Sequence, residues 1–196
     1  MNRNKISILI GIAAALVVLL GAVWYVLYGA SSPVAVSAPL IDRSGVWFDD
    51  PGTKYLVVPK IGIDTKIEEV GRTESGNMAN PSSFHTVAWY RHGTAPGGIG
   101  SAVIAGHVDN ALSLAGVFKE LHTLASGDEV HVVTASTTLR YKVLRLEEYP
   151  YDNAPLAEIF GRTDGRYLNL VTCAGTWLPG IRTYDKRLIV YTELLE

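Results

Sequence analysis

The stretch Tyr167-Leu168-Asn169-Leu170-Val171-Thr172-Cys173-Ala174-Gly175 decides how the rest of the chain is read. It is a short apolar run with β-branched members, closed by a glycine. That pattern predicts a buried strand giving way to a loop near Gly175. Cys173 is the only cysteine among 196 residues. With no second thiol in the chain to pair with, it is either an inert buried residue or a nucleophile. The flanking sequence has to decide between the two.

Downstream, residues 174–186 contain Gly and Pro and read as a loop, followed by a final strand that opens on Arg187. Upstream, residues 149–166 form a long irregular connection with a helical turn near 156–159, long enough to be functional. Before it lie apolar runs at 55–59, 61–70, 86–90, 102–107, 129–134 and 138–148, separated by turn signals such as Asn80-Pro81 and Gly127-Asp128. Val117, Leu121 and Leu124 are spaced for one short helix. Nineteen Gly, nine Pro and ten Tyr fit the same picture. About eight strands at short spacing with little helix predict a mainly β domain, a barrel or a sandwich.

The N-terminal segment has a different character. Residues 6–28 carry no charge over 23 positions, enough for a helix to cross a hydrocarbon core of roughly 30 Å. Arg3 and Lys5 precede the segment and no basic residue follows before Arg43, so residues 1–5 are expected in the cytoplasm and the remainder outside. A cleaved signal peptide has an apolar core of about 7–15 residues, and this one is longer. Residues 29–52 are rich in Ser, Pro and Ala and read as a tether, with Trp47 and Phe48 expected to pack on the domain that follows. The net charge of −2 and the lack of a long basic run speak against a nucleic-acid partner.

Two apolar strands end in reactive side chains, His107 after Ile104-Ala105-Gly106 and Cys173 after Leu170-Val171-Thr172. If neighbouring strands bring these to one rim with Arg187, the set can do acyl-transfer chemistry. A thiolate attacks, an imidazole moves the proton, and a guanidinium donates hydrogen bonds to an oxyanion. Arg182, in the preceding loop, competes for the Arg187 role. Asp109 is a candidate to orient His107. Thr172 either hydrogen-bonds substrate or satisfies strand-end backbone. His85, His92, His122 and His131 show no metal-ligand spacing, so no metal site is expected.

The chain resembles a sortase, the membrane-anchored cysteine transpeptidase of bacterial cell surfaces. The family's Thr-Leu-x-Thr-Cys signature stands here as Asn169-Leu170-Val171-Thr172-Cys173, with Asn in place of the first Thr. Val103-Ile104-Ala105-Gly106-His107 with Val108-Asp109, Pro96-Gly97, Val117-Phe118-Lys119-Glu120-Leu121 with Gly127-Asp128, and Arg187-Leu188-Ile189-Val190 match in order. Each is weak alone; together, behind an apolar N-terminal segment, they are specific. The L,D-transpeptidases, suggested by His92-Gly93-Thr94, place their cysteine in a Ser-x-Gly-Cys setting followed closely by Arg, and Thr172-Cys173-Ala174 has neither feature. A tethered, non-catalytic β-domain for adhesion or surface assembly would require Cys173 to be idle.

The resemblance implies an eight-stranded sortase β-barrel over residues 53–196. It implies Cys173 as nucleophile, His107 as general acid/base and Arg187 as the group steadying the substrate carbonyl or oxyanion. The implied partners are surface proteins bearing a sorting signal, and an amine acceptor from a cell-wall precursor or a pilin. No stretch reads as a lid, so the likeness is to the non-lidded types, with the subclass unassigned. Residues 149–166 are where selectivity is expected by analogy, and Asn169 is expected to affect packing or subclass. No cofactor is expected. Glu68, Glu69 and Asp109 do not make a calcium-binding loop, which leaves calcium dependence undecided by sequence.

Overall fold

Alternation along the strands sets the architecture, because every second side chain must find the same apolar interior. The computed structural model describes residues 52–109 and 114–195, all within the second of two units of the chain, Phe48–Glu196. The span expected at 6–28, the tether up to residue 51, and the packing of Trp47 and Phe48 lie outside the described residues. Among the described residues there are eight strands: β1 (Lys54–Val58), β2 (Ile63–Val70), β3 (Val87–Tyr90), β4 (Gly100–Gly106), β5 (Glu129–Val133), β6 (Thr138–Pro150), β7 (Arg166–Leu178) and β8 (Thr183–Leu194). They close into a barrel in the order β1-β2-β3-β4-β7-β8-β6-β5. The β2–β3 and β4–β7 pairs are parallel and the other pairs antiparallel.

The interior is filled by Leu56, Val58, Ile104, Val130, Tyr141, Val143, Leu168, Leu170 and Val190, with Phe118 and Leu121 from the β4–β5 connection. Burying one such aliphatic side chain is worth about 1.5–3 kcal/mol, whereas a surface ion pair such as Lys54–Glu69 adds about 0–1 kcal/mol. The barrel is therefore held by its interior. Strand β4 is buried along nearly its whole length, since helix α1 (Leu156–Phe160) covers part of its outer face. This explains the apolar run Ala102-Val103-Ile104-Ala105 within it.

Two expectations are corrected. The helix expected over 117–124 is a single 3₁₀ turn, Leu121–Thr123. A segment this short cannot sustain a helix alone, and burial of Phe118, Leu121 and Leu124 dictates its path. The cysteine strand also does not end near Gly175. Gly175 takes a left-handed φ of 81° and is absorbed as a register shift between Ala174 and Trp177, while Thr176 N–H donates to Asp185 Oδ1 at 2.6 Å. Pairing then resumes through Leu178 and Thr183. Glycine at a left-handed position makes a bulge here, because the β8 strand still offers partners beyond it. Cys173 accordingly sits inside a long strand, and Arg187 inside β8 and not at its start.

Candidate active site

Register brings the reactive residues together. Cys173 lies directly opposite Arg187 in the antiparallel β7–β8 ladder. Val171 pairs with Ala105 at the end of the parallel β4–β7 ladder, and His107 follows directly after β4 while Cys173 lies two residues on in β7. Successive side chains alternate between faces. Ala102 and Ile104 point into the barrel, which leaves Val103, Ala105 and then His107 on the outer face. His107, Cys173 and Arg187 all line one cleft of about 650 Å³, together with Asp109, Thr172 and Arg182.

The strand end that presents His107 is tightly built. Phe118 N–H donates to the His107 carbonyl at 2.9 Å, and a Cβ on Gly106 would lie 2.5 Å from Phe118 Cδ2, so only glycine admits this ring. The Phe84 ring lies 4.6 Å from the imidazole, centroid to centroid, at a tilt of 47°. Thr172 turns out to satisfy backbone: its hydroxyl donates to the Gly106 carbonyl at 2.8 Å and is buried. This bond ties the cysteine strand to the histidine strand one residue before each functional side chain. Replacing Thr172 by valine keeps the shape and leaves the Gly106 carbonyl without that donor. The expected loss is about 1–3 kcal/mol of stability, read from urea denaturation, with turnover falling as His107 loses its register to Cys173. Unchanged stability in this variant would show that the bond ties nothing.

The electrostatics of the cleft act on the thiol. Burial pushes Cys173 above the usual thiol value, the Arg187 charge pulls it back down, and Asp109 pushes it up. The Arg187 guanidinium is pinned to its own strand. Nη1 donates to the carbonyls of Tyr184 at 3.0 Å and Lys186 at 2.8 Å, and Nη2 donates to Thr183 Oγ1 at 2.8 Å. Three of its five N–H groups are thus committed to orientation, leaving two for a substrate oxygen. Asp109, expected to orient His107, accepts a hydrogen bond from the Tyr184 hydroxyl at 2.5 Å. That bond, followed by burial, pushes the Tyr184 phenol up to about 12. Arg182 stands on the hairpin turn in left-handed backbone, φ 54°, so two arginines face the cleft and only Arg187 is in register with Cys173.

Sequence reading passed over Phe84, Trp177 and Tyr184, which also line the cleft. Phe84 sits in a polar loop where no periodicity marks it. Trp177 and Tyr184, whose rings meet edge to face at 5.3 Å, fell in a segment read as loop. Their alternation would have shown up had β7 been extended past Gly175. Among the described residues no three His, Cys, Asp or Glu side chains converge on a point that could hold a metal ion.

His107, Cys173 and Arg187 thus line one cleft of a closed eight-stranded barrel, a set of groups able to carry thiol acyl-transfer chemistry. Residues 56–195 match the family model of the sortase domain, and the chain belongs to the sortase family, whose members are cysteine transpeptidases. No curated protein matches it. Among solved structures it is similar to a lid mutant of sortase A from Corynebacterium diphtheriae (20% identity, TM-score 0.58, 74% of this chain and 71% of that one). It is also similar to a sortase D5 transpeptidase of Clostridium perfringens (22%, 0.56, 74% and 79%) and to sortase C-1 of Actinomyces oris (19%, 0.58, 76% and 76%). At these identities the likeness is one of fold, and it spans three sortase types.

Proposed function

We propose that the chain is a membrane-tethered sortase that cleaves a sorting-signal peptide and transfers the acyl part to an amine. In this reading Cys173 Sγ attacks the scissile carbonyl carbon while two N–H groups of Arg187 receive the developing oxyanion. The carbon–nitrogen bond then breaks, and the leaving amine takes its proton from protonated His107. A thioester on Cys173 remains. An incoming amine on a cell-wall precursor or a pilin attacks the thioester, gives its proton to His107, and releases the thiolate. Residues 6–28 would hold the domain outside the cytoplasmic membrane, next to substrates that are themselves emerging there.

The observation that carries this proposal is that Cys173 and Arg187, paired across β7 and β8, and His107, just past the end of β4, line one cleft. The test is a mass shift. The full-length chain is incubated with Leu-Pro-x-Thr-Gly-like and Leu-Ala-x-Thr-Gly-like peptides. The expected result is an acyl adduct on Cys173 that disappears when an amine is added. If no peptide gives an adduct and Cys173 also resists thiol reagents, the tethered, non-catalytic β-domain becomes the better reading.

A further inference from the structure

The hydroxyl of Tyr184 joins two parts of the sheet that are not neighbours. In the barrel order β7, which carries Cys173, lies between β4 and β8. His107 and Asp109 follow β4, whereas Tyr184 stands near the start of β8, on the strand that carries Arg187. The bond from the Tyr184 hydroxyl to Asp109 Oδ2, 2.5 Å between oxygens, therefore links the two flanks of the cysteine strand. Both residues line the cleft with His107, Cys173 and Arg187.

The other groups of Tyr184 are also engaged. Its carbonyl accepts a hydrogen bond from Arg187 Nη1 at 3.0 Å. Its backbone pairs with Trp177 of β7, and the two rings meet edge to face at 5.3 Å. Tyr184 is thus fixed to the strands of Cys173 and Arg187, and its hydroxyl extends that frame to the histidine turn. The backbone of this turn is bonded to the connection that follows it. Phe118 N–H donates to the His107 carbonyl and Gly116 N–H to the Val108 carbonyl, each at 2.9 Å, and Asp109 forms an antiparallel bridge with Ala115. These bonds shape the turn without reaching β8. The Asp109 carboxylate does reach it.

We propose that Tyr184 is a positioning residue for the reaction: its hydroxyl clasps Asp109 and so holds the His107 imidazole on the same frame as Cys173 and Arg187. The inference rests on the sortase reading of the site and adds a residue that acts through Asp109 and not on substrate. A carboxylate two residues past a histidine invites an Asp–His pair, as in the hydrolytic triads. Here the phenol takes that carboxylate, and Asp109 becomes the anchor of the histidine turn. The clasp has an electrostatic consequence, because the Asp109 charge disfavours the thiolate at Cys173 and the phenolic hydrogen bond draws on that charge.

The experiment uses the full-length chain as wild type, Tyr184→Phe, Asp109→Ala, Asp109→Asn and the double variant Tyr184→Phe/Asp109→Ala. Phenylalanine keeps the ring on Trp177 and the carbonyl for Arg187, so only the hydroxyl is removed. Tyr184 is half-buried and outside the barrel core, so the fold should hold. Two quantities are read: kcat and KM with peptide and amine, and the pH midpoint of Cys173 alkylation without peptide. The other ionisable groups of the cleft, His107, Arg182 and Arg187, are the same in every variant. In Tyr184→Phe kcat should fall by about tenfold, as for a displaced catalytic group, with KM within about twofold. Asp109→Ala should lose as much, the double variant no more than either single one, and Asp109→Asn, whose amide oxygen can still accept from the phenol, should recover part of the loss. The alkylation midpoint should rise in Tyr184→Phe, where the carboxylate loses its donor, and fall in both Asp109 variants, where the charge is gone. Wild-type kcat in Tyr184→Phe, a raised KM with unchanged kcat, or losses that multiply in the double variant would each overturn the clasp. A wild type that turns over no peptide overturns the sortase reading and the catalytic role with it, while an alkylation midpoint unmoved by Tyr184→Phe overturns the clasp by itself.

Discussion

Cys173→Ala is expected to abolish the acyl adduct and to lower transpeptidation by at least about 10⁴-fold, toward whatever rate peptide binding and oxyanion stabilisation leave behind. The size follows from the site having a single nucleophile: no second thiol exists in the chain, and the neighbouring hydroxyl of Thr172 is committed to the Gly106 carbonyl. Cys173→Ser is expected to be almost as poor. Burial already disfavours the thiolate at this position, and an alcohol, far less acidic than a thiol, would need a stronger base than an imidazole to ionise there. Both variants should keep the fold, since the sulfur is half-buried at the cleft surface and lies outside the barrel interior. The checks are intact-protein mass spectrometry for the adduct, product formation with an added amine, and peptide binding to the alanine variant. Turnover by Cys173→Ala within tenfold of the wild type would remove the nucleophile from the proposal.

The strand count and the fold were legible because alternation and turn residues are local signals. Leu56 and Val58, or Val130 and Val132, mark their inward faces in the sequence itself. The meeting of His107, Cys173 and Arg187 was not local, since it depends on which strands become neighbours. It was posed as a condition on neighbouring strands and implied by the family resemblance; the register pairs Cys173 with Arg187, and all three line one cleft. The end of the cysteine strand was misread because Gly175 looks the same in sequence whether it stops a strand or bulges within one. Only the pairing of Trp177 with Tyr184 tells the two apart. The same error hid Tyr184, whose bond to Asp109 links the histidine segment to the β8 strand. Asn169 was read as a departure from the family pattern that affects packing or subclass, but its partner could not be named, because the Ile159 carbonyl is a backbone atom in an irregular connection.

Arg187→Ala is expected to lower kcat by about 10²–10³-fold, the usual consequence of losing a preorganised oxyanion donor, and to move the thiol in a defined direction. In the wild type the Arg187 charge opposes the burial that raises Cys173. Removing a cation beside a thiolate disfavours the charged form, so the thiol value rises further. The measurement is the rate of iodoacetamide alkylation at Cys173 against pH. In the wild type its midpoint should lie above the ordinary thiol value of 9.0, and in Arg187→Ala it should lie higher still. Arg187→Lys separates charge from geometry. The ammonium keeps the positive charge, so the alkylation midpoint should stay near that of the wild type. It cannot reproduce the planar fork that is pinned by Thr183, Tyr184 and Lys186 while still presenting N–H groups to substrate, so turnover should remain low. A wild-type midpoint in the lysine variant with poor turnover would assign Arg187 to oxyanion geometry, and recovery of both would assign it to charge alone. Full activity in Arg187→Ala would transfer the role to Arg182, the other arginine on the cleft, and the matching Arg182→Ala variant would then show the loss.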